Sequence, residues 1–213
     1  MDFLPKDIAD YAERYTASPS KGLQQLDRET HLEVLKPRMI SGHLQGRLLS
    51  MISHMIRPQS ILEIGAYTGY SALCLAEGLT ASGTLITIER NEELIPRIKQ
   101  YFADSPFASQ LEVRHGNARE VIPQLDNDHW DLVFIDADKE SYATYFDLVI
   151  DRVTTGGYVL VDNVLWSGKV TQENAKDTKT EALKNFNRKV HEDARVQNLL
   201  LPFRDGLMIL RKI

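Results

Sequence analysis

The chain has 213 residues, of which 43% are hydrophobic, so it can bury a substantial core, and one enzyme-sized domain (residues 1–213) is expected. Its 25 Lys and Arg residues against 30 Asp and Glu residues give a net charge of −5, which disfavours a nucleic-acid partner. Cys74 is the single cysteine, which excludes an internal disulfide, and its place in a helix with an apolar face favours a buried structural thiol.

The first forty residues predict a helical cap, formed by the segments PKDIADYAERYTA and QLDRETHLEVLK. They contain no continuous apolar stretch of the kind found in signal peptides or membrane anchors, so we expect a cytoplasmic protein that does not associate with membranes. The segment SGHLQGRLLSMISHMI has apolar residues at helical spacing and predicts a third helix, with Ser41 as its N-cap and Pro58 just beyond its end.

Between residue 59 and the C-terminus, apolar runs alternate with helical segments, which is typical of parallel strands joined by crossover helices. The five apolar runs are SILEIG, TLITIE, LEVRHG, WDLVFID and GGYVLVD. The polar stretch SGKVTQENAKDTKT predicts a mobile loop before the helix EALKNFNRKVHEDA. Two closing runs, VQNLLLPF and LMILRKI, flank a turn at Arg204-Asp205-Gly206 and predict an antiparallel hairpin, so the sheet should be mixed. An α/β, Rossmann-like core over residues 59–213 is expected.

The first apolar run ends in EIGAYTGYS, where Gly65 and Gly69 would let the backbone turn sharply and approach a ligand. The second run ends in Glu89, 20 residues after Gly69, where an acid can accept hydrogen bonds from both hydroxyls of a ribose. Alternatively, Glu89 caps the helix that begins NEEL. We favour ligand binding, and therefore a nucleoside cofactor.

The same turn distinguishes between cofactors. A dinucleotide fingerprint would read G-x-G-x-x-G, but Tyr67 stands where its second glycine belongs, and Glu63 places negative charge near the turn. A carboxylate suits a cofactor with an ammonium and a sulfonium group, so S-adenosylmethionine is favoured. Ala118, in the third turn HGNARE, could lie against the adenine, although this segment could equally be a polar turn that opens a helix.

Polar side chains follow the fourth and fifth runs: Asp136 in FIDADK, and Asp162 with Asn163 in VLVDN. Because the carboxyl ends of parallel strands meet at one edge of a sheet, these three oxygen donors should lie together and suit a divalent cation. Magnesium is the default, with manganese or calcium left open; the alternative is ordinary strand-end polar residues and helix caps. Lys139, three residues after Asp136, would lose its proton more readily beside a cation and could act as a base.

Three motifs in order, ILEIGAYTGYSALCLA, FIDADKESY and VLVDNVLWSGKV, resemble the cation-dependent O-methyltransferases of the catechol and caffeoyl-coenzyme A type. The resemblance runs from about SGHLQGRLL to the C-terminus, and the short N-terminus is more similar to that of bacterial than plant members. It implies a class I methyltransferase fold, with a seven-stranded sheet whose last strand is antiparallel and helices on both faces. It also implies a homodimer.

Carried over by position, the resemblance implies a metal site, a base and a set of cofactor contacts. Asp136, Asp162 and Asn163 would bind the metal, and Lys139 would be the base. The cofactor contacts would be Ser41, Glu63, Gly65, Ala66, Ser71, Glu89, Ala118 and Asp138. The substrate would be a small aromatic molecule with two adjacent hydroxyls, methylated on one of them; a caffeoyl-coenzyme A thioester or a flavonoid is the alternative acceptor.

Three other classes of protein fit the sequence less well. A nicotinamide-dependent oxidoreductase would need the missing glycine fingerprint. A nucleic-acid methyltransferase is disfavoured by the acidic balance of the chain. A non-catalytic cofactor-binding protein would have no evident need for Asp136, Lys139, Asp162 and Asn163 together.

Overall fold

The computed structural model of the chain describes residues 5–127 and 129–213, and within them helices and strands alternate as the sequence predicts. The strands are β1 (Ser60–Ile64), β2 (Thr84–Glu89), β3 (Leu111–His115), β4 (Trp130–Ile135), β5 (Val153–Asp162), β6 (Val196–Leu201) and β7 (Leu207–Lys212). The helices are α1 (Lys6–Arg14), α2 (Lys21–Glu33), α3 (Gly42–Ile56), α4 (Tyr70–Ala76), α5 (Ile95–Ala103), α6 (Ala118–Val121), α7 (Tyr142–Val149) and α8 (Thr178–Glu192).

The strands form one sheet in the order β3-β2-β1-β4-β5-β7-β6. Strands β1 to β5 pair in parallel, and β7 runs antiparallel to both β5 and β6. The predicted seven-stranded, mostly parallel sheet with an antiparallel last strand is therefore confirmed. Strand order reverses between β1 and β4, and in open α/β sheets the crevice at such a point is where ligands bind.

Alternating side chains of each strand supply two apolar layers, one on each face of the sheet. Leu62 and Ile64 of β1 pack on the face covered by α6, α7 and α8, whereas Ile61 packs on the face covered by α2 to α5. Glu63 lies two residues after Ile61, so its side chain takes a position in the second of these layers. An acid in that layer is unusual and bears on the site described below.

Both helices predicted in the first forty residues are present, but they are held differently. Helix α1 buries none of its residues, whereas α2 buries Leu23, Leu26 and Thr30. The Thr30 hydroxyl donates a hydrogen bond to Thr68, at the turn before α4. No helix among the described residues combines the length and the apolar character needed to cross a membrane.

Helix α3 begins where the sequence predicts, but the capping role predicted for Ser41 is wrong. The Ser41 side chain makes no capping hydrogen bond, because its backbone is already helical (φ −59°, ψ −36°) rather than extended. The carbonyl of Ser41 instead accepts a hydrogen bond from Arg204. The C-terminal end is as expected: α3 stops at Ile56, just before Arg57 and Pro58.

The predicted loop after β5 is shorter than expected, since residues 166–171 form 3-10 turns and α8 already begins at Thr178. Asp177 causes the early start, because its carboxylate accepts a hydrogen bond from the Thr180 amide and caps the helix. The prediction for Cys74 agrees with the structure: the side chain is fully buried in α4, and burial raises the pKa of its thiol to about 12.

Candidate active site

One cavity of about 870 Å³ opens at the carboxyl ends of β1, β2, β4 and β5. Eleven of the twelve residues singled out from the sequence line it: Ser41, Gly65, Ala66, Ser71, Glu89, Ala118, Asp136, Asp138, Lys139, Asp162 and Asn163. Glu63 is the exception, because it is fully buried and forms no part of the wall. The parallel sheet and the start of α3 thus bring residues up to 122 positions apart into one space.

The turn after β1 needs glycine at position 65. Gly65 has φ +99°, and a Cβ atom built there would lie 2.3 Å from the carbonyl oxygen of Asp136. The ends of β1 and β4 therefore approach each other too closely for any side chain. Gly69, with φ +89°, makes the second sharp bend that leads into α4. Between these glycines the backbone is open to the cavity, which suits close contact with a ligand.

Glu89 is not the cap of the helical segment that follows it, because the Asn91 side chain accepts the hydrogen bond from the Glu93 amide there. Glu89 Oε2 accepts a hydrogen bond from the Tyr67 amide at 2.8 Å, and its Oε1 accepts one from the Asn91 amide at 2.7 Å. The carboxylate therefore ties the turn after β1 to the turn after β2. Each oxygen has a second lone pair, so Glu89 can still accept hydrogen bonds from a ligand in the cavity.

Two further predicted cofactor contacts lie on the cavity wall beyond β3 and β4. Ala118 is buried at the start of α6, and the Asn117 side chain caps this helix by accepting a hydrogen bond from the Arg119 amide at 3.1 Å. The Asp138 carboxylate accepts hydrogen bonds from the hydroxyls of Tyr145 and Ser141. Both positions are therefore held by their own local hydrogen bonds.

The Glu63 side chain extends from β1 and is fully buried beside Thr87 of the neighbouring strand β2. Its Oε2 accepts a hydrogen bond from the Thr87 hydroxyl at 2.5 Å, while its Oε1 is buried without a hydrogen-bond partner among the described residues. Burial raises the pKa of Glu63 to about 7, although the hydroxyls of Ser71 and Thr87 act in the opposite direction. A buried carboxyl group with an open oxygen fits a positively charged group bound nearby.

Lys139 is nearly buried and is held by two neighbours. Its Nζ donates hydrogen bonds to Asp136 Oδ1 at 2.8 Å and to the Tyr142 hydroxyl at 2.6 Å. Tyr142 is fully buried, and its hydroxyl in turn donates to the carbonyl of Asp162 at 2.9 Å. This chain fixes the amine between the ends of β4 and β5.

Asp162 and Asn163 are fixed at the end of β5. Asp162 is buried, and its two oxygens accept hydrogen bonds from Gln45 Nε2 at 2.7 Å and from the Asn163 amide at 2.8 Å. Burial, and then the charge of Asp136, raise the pKa of Asp162 to about 6. Asn163 has φ +59°, a left-handed conformation that asparagine tolerates better than most residues.

The oxygen donors form a small set. Asp136, Asp162 and Asn163 share the cavity wall, and they comprise two acids and one amide. Across residues 5–127 and 129–213, no group of three or more His, Cys, Asp and Glu side chains is arranged to hold a metal ion. Any cation at this edge would therefore depend on the Asn163 amide or on non-protein ligands in addition to the two acids.

Unusual backbone conformations concentrate around the same cavity. Seven described residues other than glycine have positive φ, and five of them line the cavity: Lys36, Tyr67, Asn163, Trp166 and Arg204. Such conformations cost free energy and persist where the surrounding structure enforces them, which is common at functional sites. The clustering therefore marks this cavity independently of the motifs.

Sequence reasoning missed three residues that shape the site: Gln45, Tyr142 and Arg204. Tyr142 had a local signal, because it follows Lys139 by three residues, about one helical turn. Gln45 had a weaker signal, as a polar residue four positions before the buried Leu49 on α3. Arg204 had none, since it meets Ser41 and Gln45 only when the closing hairpin folds against α3.

Comparison with known proteins identifies the family. The sequence model of a family described as O-methyltransferase matches residues 13–213. The chain belongs to this O-methyltransferase family. It is 30% identical over 180 residues to caffeoyl-CoA O-methyltransferase 5 of Nicotiana tabacum, covering 79% of this chain and 75% of the relative. It is 32% identical over 146 residues to a catechol O-methyltransferase of Niastella koreensis, covering 67% of this chain and 66% of the relative, just under two thirds.

The fold agrees with this assignment. The SAH-bound crystal structure of the Podospora anserina methyltransferase PaMTH1 superposes with a TM-score of 0.90 at 26% identity, covering 100% of this chain and 99% of the other. The predicted O-methyltransferase family and the class I methyltransferase fold are both confirmed. Membership of this enzyme family decides against a nicotinamide-dependent oxidoreductase.

Proposed function

We propose that the chain transfers the methyl group of S-adenosylmethionine to one hydroxyl of a catechol-type aromatic substrate, with a divalent cation, magnesium by default. The observation that carries the proposal is the meeting of Asp136, Lys139, Asp162 and Asn163 at one edge of the sheet, beside the Gly65 turn. The names of the tobacco and Niastella relatives support the acceptor class, and the SAH in the Podospora enzyme supports the cofactor.

The cofactor would occupy the part of the cavity formed by the turns after β1, β2 and β3. Glu89 would accept hydrogen bonds from the ribose, and the buried Ala118 would lie against the adenine. The buried Glu63 carboxyl group, behind the cavity wall, would stabilise the positively charged end of the cofactor. The remaining contacts proposed are Ser41, Gly65, Ala66, Ser71 and Asp138.

The cation would be held by Asp136, Asp162 and Asn163, whose oxygens are the ligands that magnesium, manganese and calcium prefer. The electrostatics support this. The pKa of Asp162 is raised to about 6 by burial and by Asp136, even though the charges of Lys139 and Arg204 act in the opposite direction. The two carboxylates can therefore accommodate further positive charge.

When bound, the cation supplies Lewis-acid stabilisation of the developing oxyanion, and S-adenosylmethionine supplies an electrophilic methyl group. Lys139 Nζ accepts the proton of the attacking hydroxyl as a general base. Tyr142 and Asp136 keep this amine at the ends of β4 and β5. Trp166 contributes an aromatic wall to the cavity, and exclusion of water favours a step in which opposite charges cancel.

The test is methyl transfer to a panel containing catechol, 3,4-dihydroxybenzoate, caffeate, a flavonoid and caffeoyl-CoA, with magnesium or with EDTA. We expect metal-dependent product from the wild type. Asp136→Ala should lower kcat/KM by about 100-fold or more, because loss of even an outer-shell partner of a metal ligand costs about 10–100-fold. Asp147→Ala removes an exposed acid of α7 and should leave the activity unchanged.

Other results would change the assignment. Transfer to caffeoyl-CoA or a flavonoid alone would replace the small-catechol acceptor by one of the two alternatives. Cofactor binding without transfer to any compound would sink the proposal and favour a non-catalytic cofactor-binding protein. Equal rates with magnesium and with EDTA would remove the cation from the mechanism.

We also propose that the protein is a homodimer and is cytoplasmic. Support for the dimer comes from apolar side chains that remain exposed on and just after α1, on α3 and on β6, including Tyr15, Met51, Met55 and Leu199. A groove of about 640 Å³ runs through the same region, lined by Leu44, Leu48, Met51, Leu201 and Phe203 among others. A second copy of the chain would cover this surface.

A further inference from the structure

Arg204 lies in the turn between β6 and β7 and reaches back to α3. Its Nη1 donates hydrogen bonds to the Ser41 carbonyl and to Gln45 Oε1, the latter at 2.6 Å. Gln45 Nε2 donates in turn to Asp162 Oδ2 at 2.7 Å. A single amide group therefore separates the guanidinium from one of the proposed metal ligands, and Arg204 lines the same cavity.

Most of the hydrogen-bonding capacity of Arg204 is unused. Within residues 5–127 and 129–213 it forms no ion pair with an acid, and its Nε and Nη2 atoms have no hydrogen-bond partner. Its backbone is held at φ +50°, a conformation with an energetic cost. A partly buried guanidinium with a free fork of donors is suited to receive a planar carboxylate in a bidentate manner.

The neighbouring wall of the cavity is also basic. Lys36, Arg38 and Lys179 line it, and none of them forms an ion pair with another described residue. Lys179 Nζ lies 6.0 Å from the centre of the Trp166 ring, which places positive charge beside the proposed aromatic wall. The nearby Asp205 carboxylate accepts a hydrogen bond from the Ser167 amide.

This concentration of cations is notable in a chain of net charge −5. Five acids line the same cavity, and one of them, Asp205, lies beside Arg204, where the four cations outnumber it; the other four belong to other parts of the cavity. Glu89 and Asp138 lie where the cofactor is proposed to bind, and Asp136 and Asp162 lie where the cation is proposed. The field at the acceptor side should therefore attract an anionic substrate.

We propose that Arg204 binds a carboxylate attached to the catechol ring, so that the preferred substrates are catechol acids rather than neutral catechols. This inference rests on the proposed function, because the two hydroxyls must sit at Asp136, Asp162 and Asn163 for the opposite side of the ring to face Arg204. A coenzyme A thioester offers no free carboxylate at this point and would not satisfy the guanidinium.

The test compares a matched pair, 3,4-dihydroxybenzoate and its neutral isostere 3,4-dihydroxybenzamide. The wild type should prefer the acid by about 10–100-fold in kcat/KM, the range expected for charge-assisted hydrogen bonds. In Arg204→Met this preference should fall to less than about threefold, mainly through a higher KM for the acid. Arg204→Lys should restore part of it, and calorimetric titration of both compounds in the presence of SAH and magnesium should give the same order.

Arg211→Met serves as the matched control, since Arg211 is an exposed arginine of the same hairpin and does not line the cavity. A purely structural role of Arg204, acting on Asp162 through Gln45, would lower the rate for acid and amide equally and leave their ratio at the wild-type value. That result would overturn the inference.

Two more results would contradict the binding of a substrate carboxylate by Arg204. One is a wild type that methylates the amide as well as the acid, and the other is an Arg204→Met variant that is impaired only with caffeoyl-CoA. Either would leave the proposed O-methyl transfer intact. Absence of transfer to every catechol would overturn the proposed function, and this inference with it.

Discussion

Glu63 is an ionisable group in a layer of otherwise apolar side chains, and its protonation should affect stability. Because burial raises its pKa from 4.5 to about 7, the folded chain holds a proton there that the unfolded chain releases. Between pH 4.5 and 7 the folded state therefore binds more protons than the unfolded state. The free energy of unfolding should fall as pH rises through this window and should be lowest above pH 7.

Replacing Glu63 by Gln should remove the loss of stability that comes from ionising a buried carboxyl group above pH 7. The variant keeps an oxygen that can accept the Thr87 hydrogen bond, and at pH 8 we expect it to be more stable than the wild type by up to about 3 kcal/mol. Urea unfolding at pH 5 and pH 8 measures the difference. Glu192→Gln, at an exposed acid on α8, should keep the wild-type pH dependence. A Glu63→Gln variant with that same dependence would show that Glu63 is not the titrating group.

Tyr142 acts on the reaction through Lys139 and should be a positioning residue. Tyr142→Phe preserves the packing but removes the hydroxyl that accepts from Lys139 Nζ and donates to the Asp162 carbonyl. We expect kcat to fall by about 10–100-fold, by analogy with outer-shell partners, and the pH-rate profile to shift. Stability should fall by about 1–3 kcal/mol, because buried partners are left unsatisfied.

Tyr101→Phe is the control for the Tyr142 variant, because it removes a hydroxyl that bonds to Glu29 outside the cavity. It should lower stability without changing the pH-rate profile. If Tyr142→Phe changed stability alone, the tyrosine would be structural and would not position the base.

At the scale of elements, the junction of β1 and β4 depends on the missing side chain at Gly65. Gly65→Ala should destabilise the protein by several kcal/mol, because a left-handed backbone costs about 1–2 kcal/mol for alanine and the clash with the Asp136 carbonyl adds to it. Gly156→Ala in β5 is a matched control, with φ +85° and no atom within 4 Å of its Cβ. Urea unfolding of both variants separates the cost of the positive φ from the cost of the clash. Equal losses of stability in the two variants would mean that the junction of β1 and β4 can relax.

The elements themselves were largely predictable because their signals are local. Apolar runs and crossover helices indicated five parallel strands, and parallel strands bring their carboxyl ends to one edge, so Asp136 and Asp162 had to converge. The sequence predicts the start of α8 too late, because Asp177 stands in a polar stretch that does not reveal its role as the cap. The contacts of Arg204 with Ser41 and Gln45 join positions about 160 residues apart and have no local signal.

At the scale of the whole molecule, the exposed apolar surface on α1, α3 and β6 should decide the oligomeric state. Light scattering after gel filtration should give a dimer mass for the wild type, and Met51→Glu with Met55→Glu should shift it toward the monomer, because two charges would be buried without partners. Leu32→Glu, at an exposed leucine of α2 that does not line the groove, should remain dimeric. A monomeric wild type would contradict the proposal.

The cavity wall has two parts that differ in how they tolerate change. The Gly65 turn is bounded by backbone atoms of β4, so a substitution there disturbs the sheet. Trp166, Lys179 and Arg204 lie in the 3-10 turns after β5, near the start of α8 and in the closing hairpin, outside the five parallel strands. Directed evolution aimed at these three positions should therefore yield folded libraries with altered acceptor preference, while randomising the turn after β1 would mostly yield proteins that fail to fold.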